Sequence, residues 1–162
     1  MTTRHKLQLA GSILISLFAF TQVGGAATTP FTVMAGVWSG DGTMTTSGGT
    51  QERLRCRAQY SVVGAGNEMQ LNLRCASESY NFDLAGQVEY LHGTIAGSWK
   101  EATRNASGTI SGQAVGDRIQ AAARGSNFSA NLSLTTRGGR QSVAIQPQGT
   151  DITGVSIALN RR

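Results

Sequence analysis

Apolar and polar residues alternate strictly in two neighbouring stretches of the chain, residues 54–60 and 69–75. A period of two predicts β-strands with one buried face. Residues 64–67 between them read Gly-Ala-Gly-Asn, the composition of a tight turn, so the two strands are expected to form an antiparallel hairpin. The apolar positions are Leu54, Cys56, Ala58 and Tyr60 in the first stretch and Met69, Leu71, Leu73 and Cys75 in the second.

The apolar positions fix the register of this hairpin. If Cys56 lies opposite Cys75, every apolar residue of one strand meets an apolar residue of the other, whereas a slip of one residue turns one set to the wrong face. The further predicted pairs are Ala58 with Leu73, Tyr60 with Leu71, and Val62 with Met69. The same alignment places Arg57 opposite Arg74 and Glu78 opposite Arg53 on the outer face.

Directly opposed cysteines in an antiparallel pair are close enough to form a disulfide. The pairing of Cys56 with Cys75 is therefore predicted to be a disulfide bridge, worth about 3 kcal/mol on the chain-entropy account. Two free buried thiols or a shared metal ion are the alternatives. The metal alternative lacks histidine partners, because the chain has only His5 and His92.

The C-terminal half contains a second predicted hairpin. Leu132 and Leu134 belong to one alternating strand, and a Gly-Gly turn at residues 138–139 places them opposite Ile145 and Val143. In the last predicted strand, Val155–Leu159, the alternation does not extend back to Ile152, and Gly154 between them indicates a β-bulge.

The whole pattern predicts an all-β fold. Residues 80–84 and 95–99 alternate as well, and Ser107–Gln113 and Asp117–Arg124 are weaker strand candidates. About eight to ten short strands linked as hairpins favour an antiparallel up-and-down β-barrel, since closure removes exposed edges. A β-sandwich is the alternative. The length of the chain predicts a single domain, residues 28–162.

The N-terminus is typical of a secretory signal peptide, predicted to span residues 1–27. Arg4 and Lys6 precede the uncharged stretch Leu7–Phe20, and small residues follow, with cleavage expected after Ala26 or Ala27. The alternative is an uncleaved membrane anchor, for which the apolar stretch is short. No cysteine follows the stretch to carry a lipid. The mature chain is thus predicted to be periplasmic or secreted and not to span the membrane.

Two tryptophans lie two residues after a glycine, at Gly36–Trp38 and Gly97–Trp99. The first resembles the glycine-x-tryptophan signature in the first strand of lipocalin-like barrels, which implies a barrel architecture. Trp38, Trp99, Tyr60, Tyr80 and Phe82 are the aromatic candidates for the core or the mouth of such a barrel.

Most of the chain also resembles a group of small secreted proteins from Gram-negative bacteria. That resemblance implies export to the periplasm and transfers no catalytic residue. It lies in Trp38–Gly40, Cys56–Tyr60, Leu73–Ser77, Ser79–Phe82, Trp99–Asn105 and Thr135–Ser142.

The sequence offers no recognisable catalytic set. His92 is the only histidine after the leader, and the nine carboxylates are scattered. We therefore predict no enzymatic activity, no metal and no cofactor, with a carboxylate pair such as Glu78 and Glu101 as the alternative. The formal charge falls from +5 to about +3 without Arg4 and Lys6, too little to indicate nucleic-acid binding.

Four arginines form the strongest charge pattern of the mature chain. Arg53, Arg55 and Arg57 share the outer face of one strand, and Arg74 lies opposite Arg57. Like charges that face one another favour a bound anion, such as a phosphate, a lipid headgroup or an acidic partner. The alternative is a solvated face screened by neighbouring carboxylates.

Rim loops of a barrel are common recognition sites, and the polar run Trp99–Asn105 enters one such predicted loop. The predicted function is binding of a small apolar or lipid-like molecule in the barrel. The alternative is an interaction or inhibitor module that docks on an envelope protein through its loops or its arginine face.

Overall fold

The structure, a computed structural model, describes residues 29–162, and the predicted signal peptide lies outside them. Ten β-strands follow a short N-terminal turn at residues 30–34. The strands are β1 (Gly36–Thr46), β2 (Gln51–Val63), β3 (Glu68–Ala76), β4 (Asn81–Leu91), β5 (Thr94–Glu101), β6 (Ala106–Val115), β7 (Arg118–Gly125), β8 (Ser129–Arg137), β9 (Arg140–Gln148) and β10 (Ile152–Arg161).

The strands form one closed antiparallel barrel. Each strand pairs with its neighbours in the chain, and β1 pairs with β10, for example Met44 with Val155, so that no edge is left open. The predicted up-and-down barrel is confirmed, and the sandwich alternative is excluded. The weaker candidates Ser107–Gln113 and Asp117–Arg124 correspond to β6 and β7.

The predicted registers are the observed ones. Cys56 lies opposite Cys75 in the β2–β3 hairpin, and Leu134 lies opposite Val143 in the β8–β9 hairpin. The β1–β10 register shifts between Thr45 and Thr46, where the partner changes from Gly154 to Ile152, which is the bulge expected near Gly154. The alternation of apolar residues on both strands favours these registers, because a slip of one residue would expose one buried set.

The two ends of the barrel differ. The closed end carries the β2–β3, β4–β5, β6–β7 and β8–β9 turns, and the N-terminal turn covers it with the fully buried side chains of Phe31 and Met34. The open end carries the other five turns. There the inward-facing side chains of Phe82 and Pro147 remain partly exposed, whereas Met44, Leu54 and Ile152 are buried.

Glycines allow the barrel to curve where strands approach closely. A Cβ atom at Gly40 would lie 1.9 Å from the carbonyl oxygen of Ala158, and one at Gly108 would lie 1.8 Å from that of Arg124. No other residue fits there without moving backbone. Within residues 29–162 the one helical element is the single 3-10 turn Gly64–Gly66, and no helix is long and apolar enough to cross a membrane.

Candidate functional site

The inner wall of the barrel is apolar but incompletely packed. In a closed barrel, side chains that point inward and yet remain partly exposed border a space that solvent reaches. Nine such side chains are aliphatic and lie on seven of the ten strands, so they give the interior an apolar lining. They are Leu71, Leu73, Leu84, Ile110, Ile119, Leu132, Leu134, Ile145 and Val155.

Small residues on β6 and β7 leave room on one side of this space. A Cβ atom at Gly112 would lie 2.2 Å from the carbonyl oxygen of Gln120 and 2.8 Å from the Cβ of Ala121, so the two backbones approach closely. Because the inner face is nearly flat backbone there, large side chains do not fill the centre of the barrel from that side. The other small inward residues of these strands are Ala106, Gly108, Ala114, Ala123 and Gly125.

The closed end is held by Trp38. Its indole Nε1 donates a hydrogen bond to the carbonyl oxygen of Met34 at 2.7 Å, and its ring is fully buried. The Arg161 guanidinium carbon lies 4.6 Å from the Trp38 ring centroid, and its Nη1 donates to the Ala35 carbonyl oxygen at 2.6 Å. Phe31 packs edge-on against Tyr90, with ring centroids 6.1 Å apart. These contacts fix the N-terminal turn across the closed end.

A buried series of hydrogen-bonded polar side chains lies beneath the N-terminal turn. The Tyr60 hydroxyl donates to Gln141 Oε1 at 2.6 Å, and Gln141 Nε2 donates to Thr136 Oγ1 at 3.0 Å. All three side chains are buried, and burial raises the pKa of the Tyr60 phenol, although its hydrogen bond with Gln141 acts in the opposite direction. The interior near the closed end is therefore polar but internally satisfied.

Aromatic side chains line the open end. Tyr80 and Phe82 stack with ring centroids 6.4 Å apart, and the Arg104 guanidinium carbon lies 4.9 Å from the Phe82 centroid. Trp99 meets Phe128 edge-on at 5.5 Å. Four aromatic rings and one cation thus surround the approach to the apolar space.

Tyr80 also links two turns of the open end. Its hydroxyl donates to Asp151 Oδ2 at 2.6 Å, which joins the β3–β4 turn to the β9–β10 turn. This hydrogen bond to a carboxylate is the main reason that the pKa of the Tyr80 phenol is raised. Nearby, Glu52 Oε2 accepts hydrogen bonds from the Ser77 hydroxyl at 2.6 Å and from the Ser79 amide at 3.2 Å, which lower the pKa of Glu52.

Glu101 organises the loop that the sequence marked at Trp99–Asn105. Its buried carboxylate accepts hydrogen bonds from the backbone amides of Asp83, Thr103 and Arg104 at 3.0, 3.2 and 2.8 Å. Burial alone would raise the pKa of Glu101, but these donors and the Thr103 hydroxyl hold it below its ordinary value. The carboxylate is thus occupied in shaping the β5–β6 turn at the rim of the open end.

Two of the four arginines of the predicted anion-binding face form ion pairs with carboxylates. Arg57 does lie opposite Arg74. However, Arg74 forms an ion pair with Asp83 at 3.1 Å, and Arg53 forms one with Asp41 at 3.3 Å. The expected pairing of Glu78 with Arg53 is wrong, because β3 ends at Ala76 and Glu78 lies in the following turn. The role of Arg55 and Arg57 in binding an anion stays a prediction.

The predicted aromatic set divides between the two ends. Trp38 and Tyr60 belong to the packing of the closed end, while Trp99, Tyr80 and Phe82 lie toward the open end. The disulfide joins Cys56 to Cys75 on the inner wall, with an S–S distance of 2.09 Å, and both cysteines are buried.

The titratable side chains remain dispersed. His92 is exposed in the β4–β5 turn at a positive φ of 48°. Among residues 29–162, no three His, Cys, Asp or Glu side chains converge in a way that could hold a metal ion. Sequence reasoning assigned three residues of this end to no site. Phe128 alternates with Ala130 and Leu132, Arg104 lies within the predicted run Trp99–Asn105, and Asp151 lies in a turn and follows no periodic pattern.

Comparison with known proteins places the barrel among solved folds. No family model matches the chain, and no curated protein matches it. The barrel is similar to the crystal structure of Rv2717c from M. tuberculosis, with a TM-score of 0.65 and 14% identity over 83% of this chain and 94% of that chain. It is also similar to the S-type phycobiliprotein lyase CPES from Guillardia theta, with a TM-score of 0.60 and 8% identity over 82% and 90% of the two chains. At these identities the likeness shows a shared fold.

One comparison corrects the sequence analysis. We predicted that the protein is not an enzyme, because its sequence lacks a recognisable catalytic set. That prediction is wrong, because a barrel of the same fold belongs to a protein named as a lyase. The lack of a His/Ser/Asp pattern is not a sound reason to exclude catalysis on this fold.

Proposed function

We propose that this protein binds a small, predominantly apolar molecule inside its barrel, after export to the periplasm or the medium. The observation that carries the proposal is the partial exposure of inward-facing aliphatic side chains such as Leu73, Ile110 and Leu134. Exposed apolar surface inside a barrel is unfavourable in water, at roughly 25 cal/mol per Å², and an apolar ligand would remove it from solvent.

The ligand enters through the open end. The closed end is covered by the fully buried side chains of Phe31, Met34 and Trp38. At the open end, the partly exposed rings of Phe82 and Phe128 continue the apolar lining outward. A ring-lined entrance favours ligands with flat or flexible hydrocarbon parts, because aromatic faces offer large apolar contact with little loss of entropy.

The chemistry of the lining limits the class of ligand. Among residues 29–162, the inward-facing charged side chains lie at the ends of the strands, at Glu52, Glu101 and Arg161. The buried polar groups Tyr60, Gln141 and Thr136 satisfy one another. A ligand with a charged group buried at the centre would therefore lose its hydration without a partner. The distant similarity to a phycobiliprotein lyase supports the view that this fold has room for a small molecule.

The proposal is tested by titration with N-phenyl-1-naphthylamine, a neutral apolar dye that becomes fluorescent when it leaves water. We expect saturable enhancement with the wild-type protein. Ala121→Phe adds a ring to the inner wall beside Gly112 and should lower the affinity at least tenfold, because it fills the space that the dye would occupy.

The matched control is Ala122→Phe on the outer face of the same strand, which adds the same ring outside the barrel. This variant should bind the dye like the wild type. Absence of saturable binding by the wild type, or equal effects of the two substitutions in folded protein, would contradict an internal site.

A further inference from the structure

The four large apolar side chains that are most exposed within residues 29–162 all lie at the closed end. Leu91 and Val115 are the last residues of β4 and β6, and their exposed fractions are 65% and 77%. Val63 ends β2, and Val33 belongs to the N-terminal turn. Scattered apolar residues on a surface are ordinary, but their confinement to one end of a barrel indicates a surface that contacts another apolar medium.

Exposed arginines complete the rim of the same end. Arg118 and Arg140 begin β7 and β9, Arg137 ends β8, and Arg162 follows β10. Arg137 forms an ion pair with Asp117, the one carboxylate next to this arc. Going around the rim, the ends of β2, β4 and β6 are therefore apolar, and the ends of β7 to β10 are basic. Glu68 and Glu89 lie on the apolar half and weaken the positive potential there.

The opposite end carries charges of both signs. Glu52, Glu78 and Asp151 lie in or beside its turns without an ion-pair partner among residues 29–162, and Arg104 is offset by Glu101 at 3.7 Å. Exposed Lys100 and Arg124 lie near the ends of β5 and β7 at the same end. The closed end differs because it combines exposed apolar side chains with an arc of arginines.

We propose that the closed end is a docking face for the headgroup region of an anionic lipid bilayer. The apolar tips and the arginines are spread around the circumference of one barrel end, so a flat surface meets all of them at once. Short apolar side chains would enter the interface while the guanidinium groups bind lipid phosphates. In this orientation the open end points away from the bilayer, and the site does not depend on what the barrel holds.

The test is co-sedimentation with vesicles of phosphatidylglycerol and phosphatidylcholine, compared with vesicles of phosphatidylcholine alone. We expect binding only to the anionic vesicles. Arg137→Gln with Arg140→Gln should weaken the partition coefficient roughly 25-fold, since each arginine near an anionic surface is worth about fivefold. All proteins compared must have the same N-terminus by intact mass, so that any contribution of residues 1–27 cancels.

The matched control is Lys100→Gln with Arg124→Gln, which removes the same charge from the outer walls of β5 and β7 near the open end. It should change the partition less than threefold. Leu91→Ser with Val115→Ser tests the apolar part. This pair should abolish the fraction of binding that survives at about 0.3 M salt, where surface electrostatics are screened.

Three outcomes would overturn the proposal. If the wild-type protein does not bind anionic vesicles at low salt, the face binds an acidic protein partner or none. Equal losses of vesicle binding from the two charge-removing double variants would mean that only the net charge of the protein matters. Binding by the Leu91→Ser, Val115→Ser protein equal to wild type at about 0.3 M salt would remove the apolar contact.

Discussion

The two ends of this barrel are built from the same hairpins but are finished differently. At the closed end a turn from outside the sheet places Phe31 and Met34 over the interior, and Trp38 and Arg161 hold it there. At the open end, Met44 and Leu54 are buried, but Phe82, Phe128 and Pro147 stay partly exposed. The difference shows that closing a sheet into a barrel does not by itself make a packed core, because a separate segment had to cover one end.

The comparison also shows how polar groups are used. Near the closed end, Tyr60 and Gln141 satisfy each other within the interior. Near the open end, the Glu101 carboxylate faces backbone amides and shapes a rim turn. One arrangement stabilises the plugged half, and the other fixes the geometry of an entrance. Four changes, from the largest expected effect to the smallest, test this contrast.

The largest expected effect is on the free energy of unfolding, and it should differ between Trp38→Ala and Trp99→Ala. Each indole donates one hydrogen bond to a backbone carbonyl, but Trp38 is fully enclosed whereas Trp99 borders the partly filled interior. We expect a loss of about 4 kcal/mol in the free energy of unfolding for Trp38→Ala and about half of that for Trp99→Ala. Urea unfolding followed by circular dichroism measures both, with the Phe variants in reserve if an Ala variant does not fold. Equal losses would mean that the open half is packed as tightly as the closed half.

Removal of the disulfide should have the next largest effect on the free energy of unfolding. Replacing Cys56 and Cys75 by Ala opens a loop with a sequence separation of 19 residues, at a cost of about 3 kcal/mol in stability. The measurement is guanidinium unfolding of the variant beside wild type with and without a reductant. A wild type that is indifferent to the reductant, with its thiols shown to be reduced, would contradict a structural role for the bridge.

Glu101→Gln should cost about 2 kcal/mol at neutral pH, because an amide replaces a buried carboxylate that accepts several hydrogen bonds. The folded pKa of Glu101 is below its ordinary value of 4.5, so the carboxylate stabilises the fold fully above that value. This contribution is lost as the pH falls through the folded pKa. The stability difference between wild type and variant should therefore shrink in acid. A difference that is constant from pH 7 to about pH 3 would mean that Glu101 acts by shape alone.

Tyr60→Phe should have the smallest effect of the four, about 1 kcal/mol. It leaves Gln141 Oε1 buried without its donor and keeps the ring in place. Thermal unfolding of Tyr60→Phe and of the double variant with Gln141→Leu measures the coupling. If the double variant is no more stable than the single one, the unpaired amide oxygen is not the cause of the loss.

The hairpin registers followed from the sequence because both strands of each hairpin carry alternating apolar residues. Cys56 with Cys75 and Leu134 with Val143 are alignments that bury both sets, whereas a slip of one residue exposes one of them. The pairing of β1 with β10, which closes the barrel, was a weaker inference. No turn joins these two strands, so no short stretch of sequence indicates that they pair. The bulge at Gly154 was visible because the alternation breaks there.

The site was less accessible to sequence reasoning. The plug residues Phe31 and Met34 follow no period, and the partners of Glu101 are backbone amides that any sequence supplies. The error over Glu78 arose because the alternation gives the register of β3 but not the residue at which β3 ends. The partial exposure of the inner wall depends on the sizes of the inward-facing side chains of all ten strands. A pattern within one short stretch of sequence does not reveal it.

The most direct test of the central claim uses a neutral bromoalkane, which quenches indole fluorescence only near contact. The two tryptophans report separately on the two ends, since Trp38 lies behind the plug and Trp99 borders the interior space. We predict that 1-bromodecane quenches the wild type saturably and leaves the Trp99→Phe variant, which retains Trp38, unchanged. Quenching of both proteins alike, or of neither, would contradict an apolar site that opens at one end.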